Sequence, residues 1–365
     1  MNFNKRANRL KSLLRISFLS FLALMFMRCG TQELEYIQPY QFVNEEFDGI
    51  GELPEVPDED PVIVEPEYPE IVYSPEAQAL LDDLASAESE ADIDAFSITL
   101  LERIAAFVEG QPEGLSKELK ELAERLTEAD IIAMFDEDAE LDPDLLALVQ
   151  AAIGSTDIGF LFPYIIIPPG LTEEDASDRK DFSSDLDKNM MLENLRTATL
   201  VGPCADAARD AYNRAVDRLE ASRTAQLATT ETNYQNRLTA AQQRLIMRNA
   251  AAFTIYQNQL QFGILYGNLM LAAANNIARF SPILASYYRW YALLYLVHLR
   301  NLYGQMYTLS IRANQIAFMQ ETTNALLQRN LIISIIEANF NAALANANNL
   351  LQAALNGCHN QGAGN

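Results

Sequence analysis

The sequence predicts an all-α chain, a small acidic helical bundle plus a long antiparallel helical hairpin or bundle, preceded by a disordered tether. Three observations predict it. The triplet Tyr-Gln-Asn at 234–236 recurs at 256–258, twenty-two residues on, and Tyr212 stands the same interval before. No proline occurs between Pro203 and Pro282, or anywhere after Pro282. Charge is segregated: residues 1–30 carry six basic and no acidic groups, 31–200 carry 43 acidic and eight basic, and 201–365 carry seven acidic and twelve basic.

The first segment is MNFNKRANRLKSLLRISFLSFLALMFMRCG, five basic residues ahead of an apolar run from Ile16 to Met27, then Cys29. A cationic start and an apolar run of about a dozen residues, too short for a comfortable bilayer span, form the layout of an export signal. Up to Cys29 the segment resembles a bacterial lipoprotein precursor. It departs from that pattern at Arg28, where a small residue is usual, and at Phe26, where Leu is favoured. The resemblance implies a signal peptide over 1–28, lipidation of Cys29 with palmitate-type chains, and a membrane anchor in a bacterial cell envelope, at the outer membrane or in the periplasm. An uncleaved anchor and ordinary secretion are the other readings; each places the remaining chain outside the cytoplasm.

Residues 29–74 form an acidic proline-rich linker. Each proline fixes φ and biases its predecessor against helix, and like charges keep the chain extended. Helical punctuation begins at 75, with Ser74 as cap and Pro75 at the first helical position. The acidic helical region, 75–200, contains short amphipathic helices, one ending at Gly110 and another opened by Asp142-Pro143 and stopping at Gly154. Its cluster DEDAELDPD, 136–144, invites a calcium reading. An EF-hand loop needs glycine at position six and glutamate at twelve, where this chain has Leu141 and Ala147, so the carboxylates read as caps and turns. Residues 159–170, GFLFPYIIIPPG, read as an apolar extended segment buried against helices.

The interval of twenty-two answers the repeat. Eleven residues make three turns at about 3.67 per turn, so Tyr212, Tyr234 and Tyr256 return to one azimuth of a nearly straight helix. Phe280-Ser281-Pro282 supplies the break between two arms, which together span 201–358, and 359–365 is a disordered tail. Cys204 and Cys358 are equidistant from Ser281. If the arms are antiparallel, folding at Ser281 brings these cysteines together for a disulfide, as expected in an oxidising compartment. Gly263, Gly267 and Gly304 mark places where the arms could break into a four-helix bundle.

The stretch 260–304 is apolar and aromatic, with only three arginines as formal charges. Phe280, Tyr287, Tyr288, Trp290, Tyr291 and Tyr295 are therefore candidate membrane or partner contacts, either as buried packing or as an interfacial tip. Function classes narrow accordingly. Acidic composition opposes nucleic acid, and with only His298 and His359 there is little material for histidine catalysis or a metal site. His298 reads as a core residue with one backbone partner. The sequence thus predicts no catalytic, cofactor or metal residues and a non-enzymatic envelope lipoprotein. Its expected role is as a structural or interaction module for a protein partner or a homo-oligomer. The alternative is a membrane-active helical hairpin with 260–304 as its tip.

Overall fold

The computed structural model describes residues 45–171 and 202–359. The expected signal peptide, Cys29, the start of the linker, the stretch 172–201 and the tail beyond His359 lie outside the described residues. Described elements are α1 (Glu45–Asp48), β1 (Glu70–Val72), α2 (Pro75–Ser86), α3 (Ala95–Glu109), α4 (Glu113–Glu124), α5 (Glu128–Met134), α6 (Pro143–Ile153), β2 (Tyr164–Ile166), α7 (Pro203–Ile277) and α8 (Pro282–His359). They divide into two compact units. The first comprises 45–58, 202–231 and 330–359, and the second 59–171 and 232–329.

Both long helices are uninterrupted, so the arms form a hairpin and do not fold back into four helices. The turn lies where Pro282 requires it. Ser281 donates its backbone N–H to Ile277 (2.8 Å) and accepts from Ala285 (3.1 Å), the latter closing the first turn of α8. Gly263 and Gly267, expected as breaks, instead let α5 approach. A Cβ on Gly263 would lie 2.2 Å from the Phe135 ring, and one on Gly267 would lie 2.8 Å from Ile131. Ile131 and Phe135 are four apart on one face and fill the notch left by two glycines also four apart.

In the second unit the caps expected from the sequence are made. Ser74 accepts from Ala77 N–H (3.1 Å), and Asp142 accepts from Asp144 N–H (2.8 Å). Thr127 and Asp130 form a reciprocal capping box. Asp136 accepts from the Asp138 N–H at 3.0 Å, turn chemistry of the kind read for DEDAELDPD. Short helices α2–α6 bury Leu80, Leu84, Leu101, Ile104, Val149 and their neighbours with the tyrosine-rich stretch of α8. Each large side chain so buried contributes about 1.5–3 kcal/mol. β1 and β2 pair antiparallel, Glu70 with Ile166 and Val72 with Tyr164. The segment 159–170 is thus divided: Leu161 and Phe162 are buried, whereas Tyr164 and Ile166 are exposed.

The linker differs most from expectation. From Glu45 onward it is not a free tether but an extended strap held on the arms through its backbone, where proline sterics have already removed the competing helix. In the first unit Arg218 donates to the carbonyls of Phe47 (2.7 Å) and Ile50 (3.3 Å), and Gln226 to those of Leu53 and Pro54, both at 3.2 Å. Phe47, Ile50 and Leu53 are buried there with Leu219, Ile332 and Ile336. In the second unit Arg237 donates to the Glu59 carbonyl (3.2 Å) and Arg248 to that of Val64 (2.8 Å). Tyr68 donates to Asn314 of α8 at 2.7 Å.

Candidate interaction surface and covalent clamp

The tyrosine series faces the opposite arm. Tyr212 donates to Asn348 (2.9 Å) in the first unit. In the second, Tyr234 lies beneath Arg329, whose guanidinium carbon is 5.4 Å from the ring centre, and Tyr256 stacks on Tyr307 at 4.9 Å. Each pair is nearly equidistant from Ser281, the register an antiparallel hairpin demands. At the end of the first unit Cys204 and Cys358 form a disulfide with a Cα separation of 5.9 Å and 154 residues between them. Ala205, Ala208 and Leu355 bury the ground beneath it. Small residues there let the helices converge to the distance that the bond needs.

Charged groups also fasten the arms. Arg223 reaches Glu337 in a bidentate pair in the first unit, its closest contact 2.6 Å. In the second, the buried carboxylate of Glu321 accepts from Arg244 (3.0 Å) and Arg248 (3.1 Å). Arg248 thus serves the strap and the opposite arm together. Of the α7 arginines, Arg218, Arg223, Arg237, Arg244 and Arg248 each bind the strap or the opposite arm.

The aromatic candidates fall inside the second unit. Tyr288, Trp290, Tyr291 and Tyr295 are buried, and Phe280 and Tyr287 are half-buried at the edge of the same core. Their partners are intramolecular. Phe162 inserts against Tyr291, Tyr295 and His298, with ring centres 5.7, 6.3 and 5.9 Å away. Tyr291 donates to the Leu161 carbonyl (3.0 Å), and His298 Nε2 lies 2.7 Å from the Pro163 carbonyl, the backbone partner expected of a core histidine. Burial pushes the Tyr288, Tyr291 and Tyr295 hydroxyls well above the ordinary tyrosine range, and it lowers the His298 pKa despite the opposing effect of its bond to Pro163. These groups stay neutral through physiological pH, and their geometry is that of a packed core. The six aromatic side chains are not assembled into an exposed tip.

Exposed apolar side chains include Ile255, Phe262, Leu265 and Leu269 on α7, the last three inside the 260–304 stretch, Ile246, Met247 and Leu327 farther along the arms, and Tyr164 and Ile166 on β2. Nothing in the sequence sets these α7 residues apart from their buried neighbours except the seven-residue spacing of Ile255, Phe262 and Leu269. A cleft of about 790 Å³ lies between the 139–141 turn, Leu146 and the Arg300–Leu309 stretch of α8. Its one cation, Arg300, stacks on Tyr256 and donates to the carbonyls of Asp136 and Glu137, both at 3.1 Å, which occupies it structurally. Among the described residues no group of three His, Cys, Asp or Glu side chains is placed to hold a metal ion, and no helix is long and apolar enough to cross a membrane. No family model matches the chain, and no curated protein or solved structure is significantly similar to it.

Proposed function

We propose that the chain is a lipid-anchored protein of a bacterial cell envelope that acts as a non-enzymatic structural or protein-interaction module. Its clamped helical arms present surface to a protein partner or to another copy. The observation that carries this reading is the Cys204–Cys358 pair. A bond across 154 residues persists where thiols are not continually reduced, which agrees with the export-type start ending at Cys29. The arms support an interaction role because their arginines and aromatic side chains are engaged within the chain, leaving apolar helix surface outward. The membrane-active alternative draws less support, since its aromatic residues are committed to the core.

Metabolic labelling with a palmitate analogue tests the anchor. Wild-type protein is expected to incorporate label into the membrane fraction, and Cys29→Ala to lose both label and fractionation. Equal labelling of the two would end the lipoprotein assignment.

A further inference from the structure

On α7, Ile255, Phe262 and Leu269 recur every seven residues, and Ala251, Asn258, Leu265 and Ala272 form a second series at the same interval. Taken together, successive members are alternately four and three apart. That is the spacing of a coiled-coil seam, whose mean period of 3.5 fits a left-handed crossing of about 20° with another helix. All seven residues are exposed, Ile255 by 52%, Phe262 by 47%, Leu265 by 65% and Leu269 by 59%. The chain's own packing runs mainly through another face of this stretch, with Tyr256, Leu260 and Met270 in the core, and touches the seam at Phe262, whose ring centre lies 6.0 Å from those of Tyr73 and Tyr266.

We infer that this face of α7 is the dimerisation surface of the protein and that its occupant is the same face of a second copy, parallel and in register. The inference rests on the interaction-module reading and names its partner. Two observations select a second copy. First, residues 249–278 carry no charged side chain in a chain of net charge −24. A copy is repelled wherever acidic surfaces meet, and this stretch of α7 adds no charge of its own to that repulsion. Its flanks include Gln257 and Gln261, amides that both donate and accept and so complement themselves without selecting a partner of opposite charge, while Asn268 donates to the Glu128 carboxylate at 3.5 Å. Second, Asn258 is the one polar member of the seam. In a parallel in-register pair it meets its own counterpart, and the two amides satisfy each other, the use to which a single buried asparagine is put in fixing register. An antiparallel pair that sets Asn258 against Phe262 would leave both amides without partners. The helix is already formed, so docking orders side chains and little backbone.

The test uses the full chain. Sedimentation equilibrium of the wild type is expected to give a mass rising with concentration from the 40.8 kDa monomer to twice that value. Leu265→Asp should weaken association at least tenfold. Ile246→Asp, at an equally exposed position outside both series, should leave it unchanged. Leu265→Cys in a Cys29→Ala chain should cross-link to itself on mild oxidation, because only the parallel register sets residue 265 opposite residue 265. A wild type that stays monomeric at all concentrations overturns the inference. So does equal weakening by the two aspartate variants, a 265 thiol that bonds only to Cys placed at 255, or a photo-cross-linker at Leu269 that captures a different protein in cells. These outcomes are independent of the Cys29 labelling result, so failure of the dimer and failure of the envelope assignment are read separately.

Discussion

Replacing Gly263 with alanine sets two known effects against each other. In an exposed helix the change stabilises by about 1 kcal/mol, because alanine loses less backbone entropy than glycine. Here the new Cβ would stand 2.2, 2.5 and 2.6 Å from three carbons of the Phe135 ring. Contact between carbons is comfortable at about 3.5–4.0 Å, so the ring must retreat by roughly 1–2 Å. Phe135 is buried and packs against Tyr303, with ring centres 6.2 Å apart. Overpacking of this kind costs about 1–3 kcal/mol, and expulsion of the ring would forfeit up to about 3 kcal/mol of burial. The net expectation is a loss of about 1–2 kcal/mol. Gly304→Ala is the matched control, since its Cβ would meet nothing nearer than Arg300 Nη1 at 3.6 Å, and it should gain about 0.5–1 kcal/mol. The single tryptophan, Trp290, lies in this core and reports its unfolding by fluorescence in denaturant titrations. Adding Phe135→Leu to Gly263→Ala should recover part of the loss, a coupling of at least about 0.5 kcal/mol. The seating of α5 in the glycine notch is refuted if Gly263→Ala stabilises as much as Gly304→Ala.

Reduction of Cys204–Cys358, or Cys204→Ser, should lower stability by up to about 5 kcal/mol, the chain-entropy value for so long a loop. Denaturant midpoints with and without reductant measure it, and a non-reducing peptide map that recovers both thiols free would refute the closure. Arg237→Ala removes the donors to Glu59 and Asp60, so limited proteolysis should cut near 59–64 faster than in wild type; unchanged cleavage would mean that the strap is held by other contacts. His298 gives a pH signature. Its folded pKa lies below the ordinary value of 6.5, so the unfolded chain takes up the proton first, and the stability its neutral form contributes falls as pH drops below about 6.5. His298→Gln should flatten that part of the pH–stability curve, and an unaltered slope would remove His298 as its source.

Much of this fold is legible in the sequence because its signals are local or periodic. Ser74-Pro75 and Asp142-Pro143 announce helix starts through cap chemistry that needs no tertiary contact. Tyr212, Tyr234 and Tyr256 give an azimuth, and Ser281-Pro282 gives the place about which two cysteines are mirrored. What the sequence conceals is which neighbour a surface meets. Gly263 reads equally as a break or as a notch, and only Phe135, far away in the chain, decides between them. Tyr288 and Trp290 suit a bilayer interface or a core, and the acidic helices that cover them carry no sequence mark of doing so. The strap is hidden for a further reason: its partners bind backbone carbonyls, and a carbonyl has no side-chain signature.

Yet the arginines that hold the strap do keep a measure, and it leads to a prediction about length. Arg237 and Arg248 are eleven residues apart on α7 and bind carbonyls five residues apart, at Glu59 and Val64. Eleven helical residues advance about 16.5 Å, and five extended ones advance about 15.5–16.5 Å. In the first unit Gln226, eleven before Arg237, binds the carbonyl of Pro54, five before Glu59. A straight helix returns to one azimuth after eleven residues, so Arg237 and Arg248 can meet the strap along one line. A matched deletion should therefore be tolerated. Removing 238–248 from α7, 315–325 from α8 and 60–64 from the strap keeps Asn249 beside Asn314 and brings Glu65 to the place of Asp60 before Arg237. That protein should retain its helical circular dichroism and form the Cys204–Cys358 bond, at the expense of the Arg244 and Arg248 pairs with Glu321. Removing ten residues from each arm rotates everything beyond by about 100° per helix and should lose the disulfide and cooperative unfolding. Equal behaviour of the ten- and eleven-residue deletions would show that the spacing of strap contacts on α7 is coincidence.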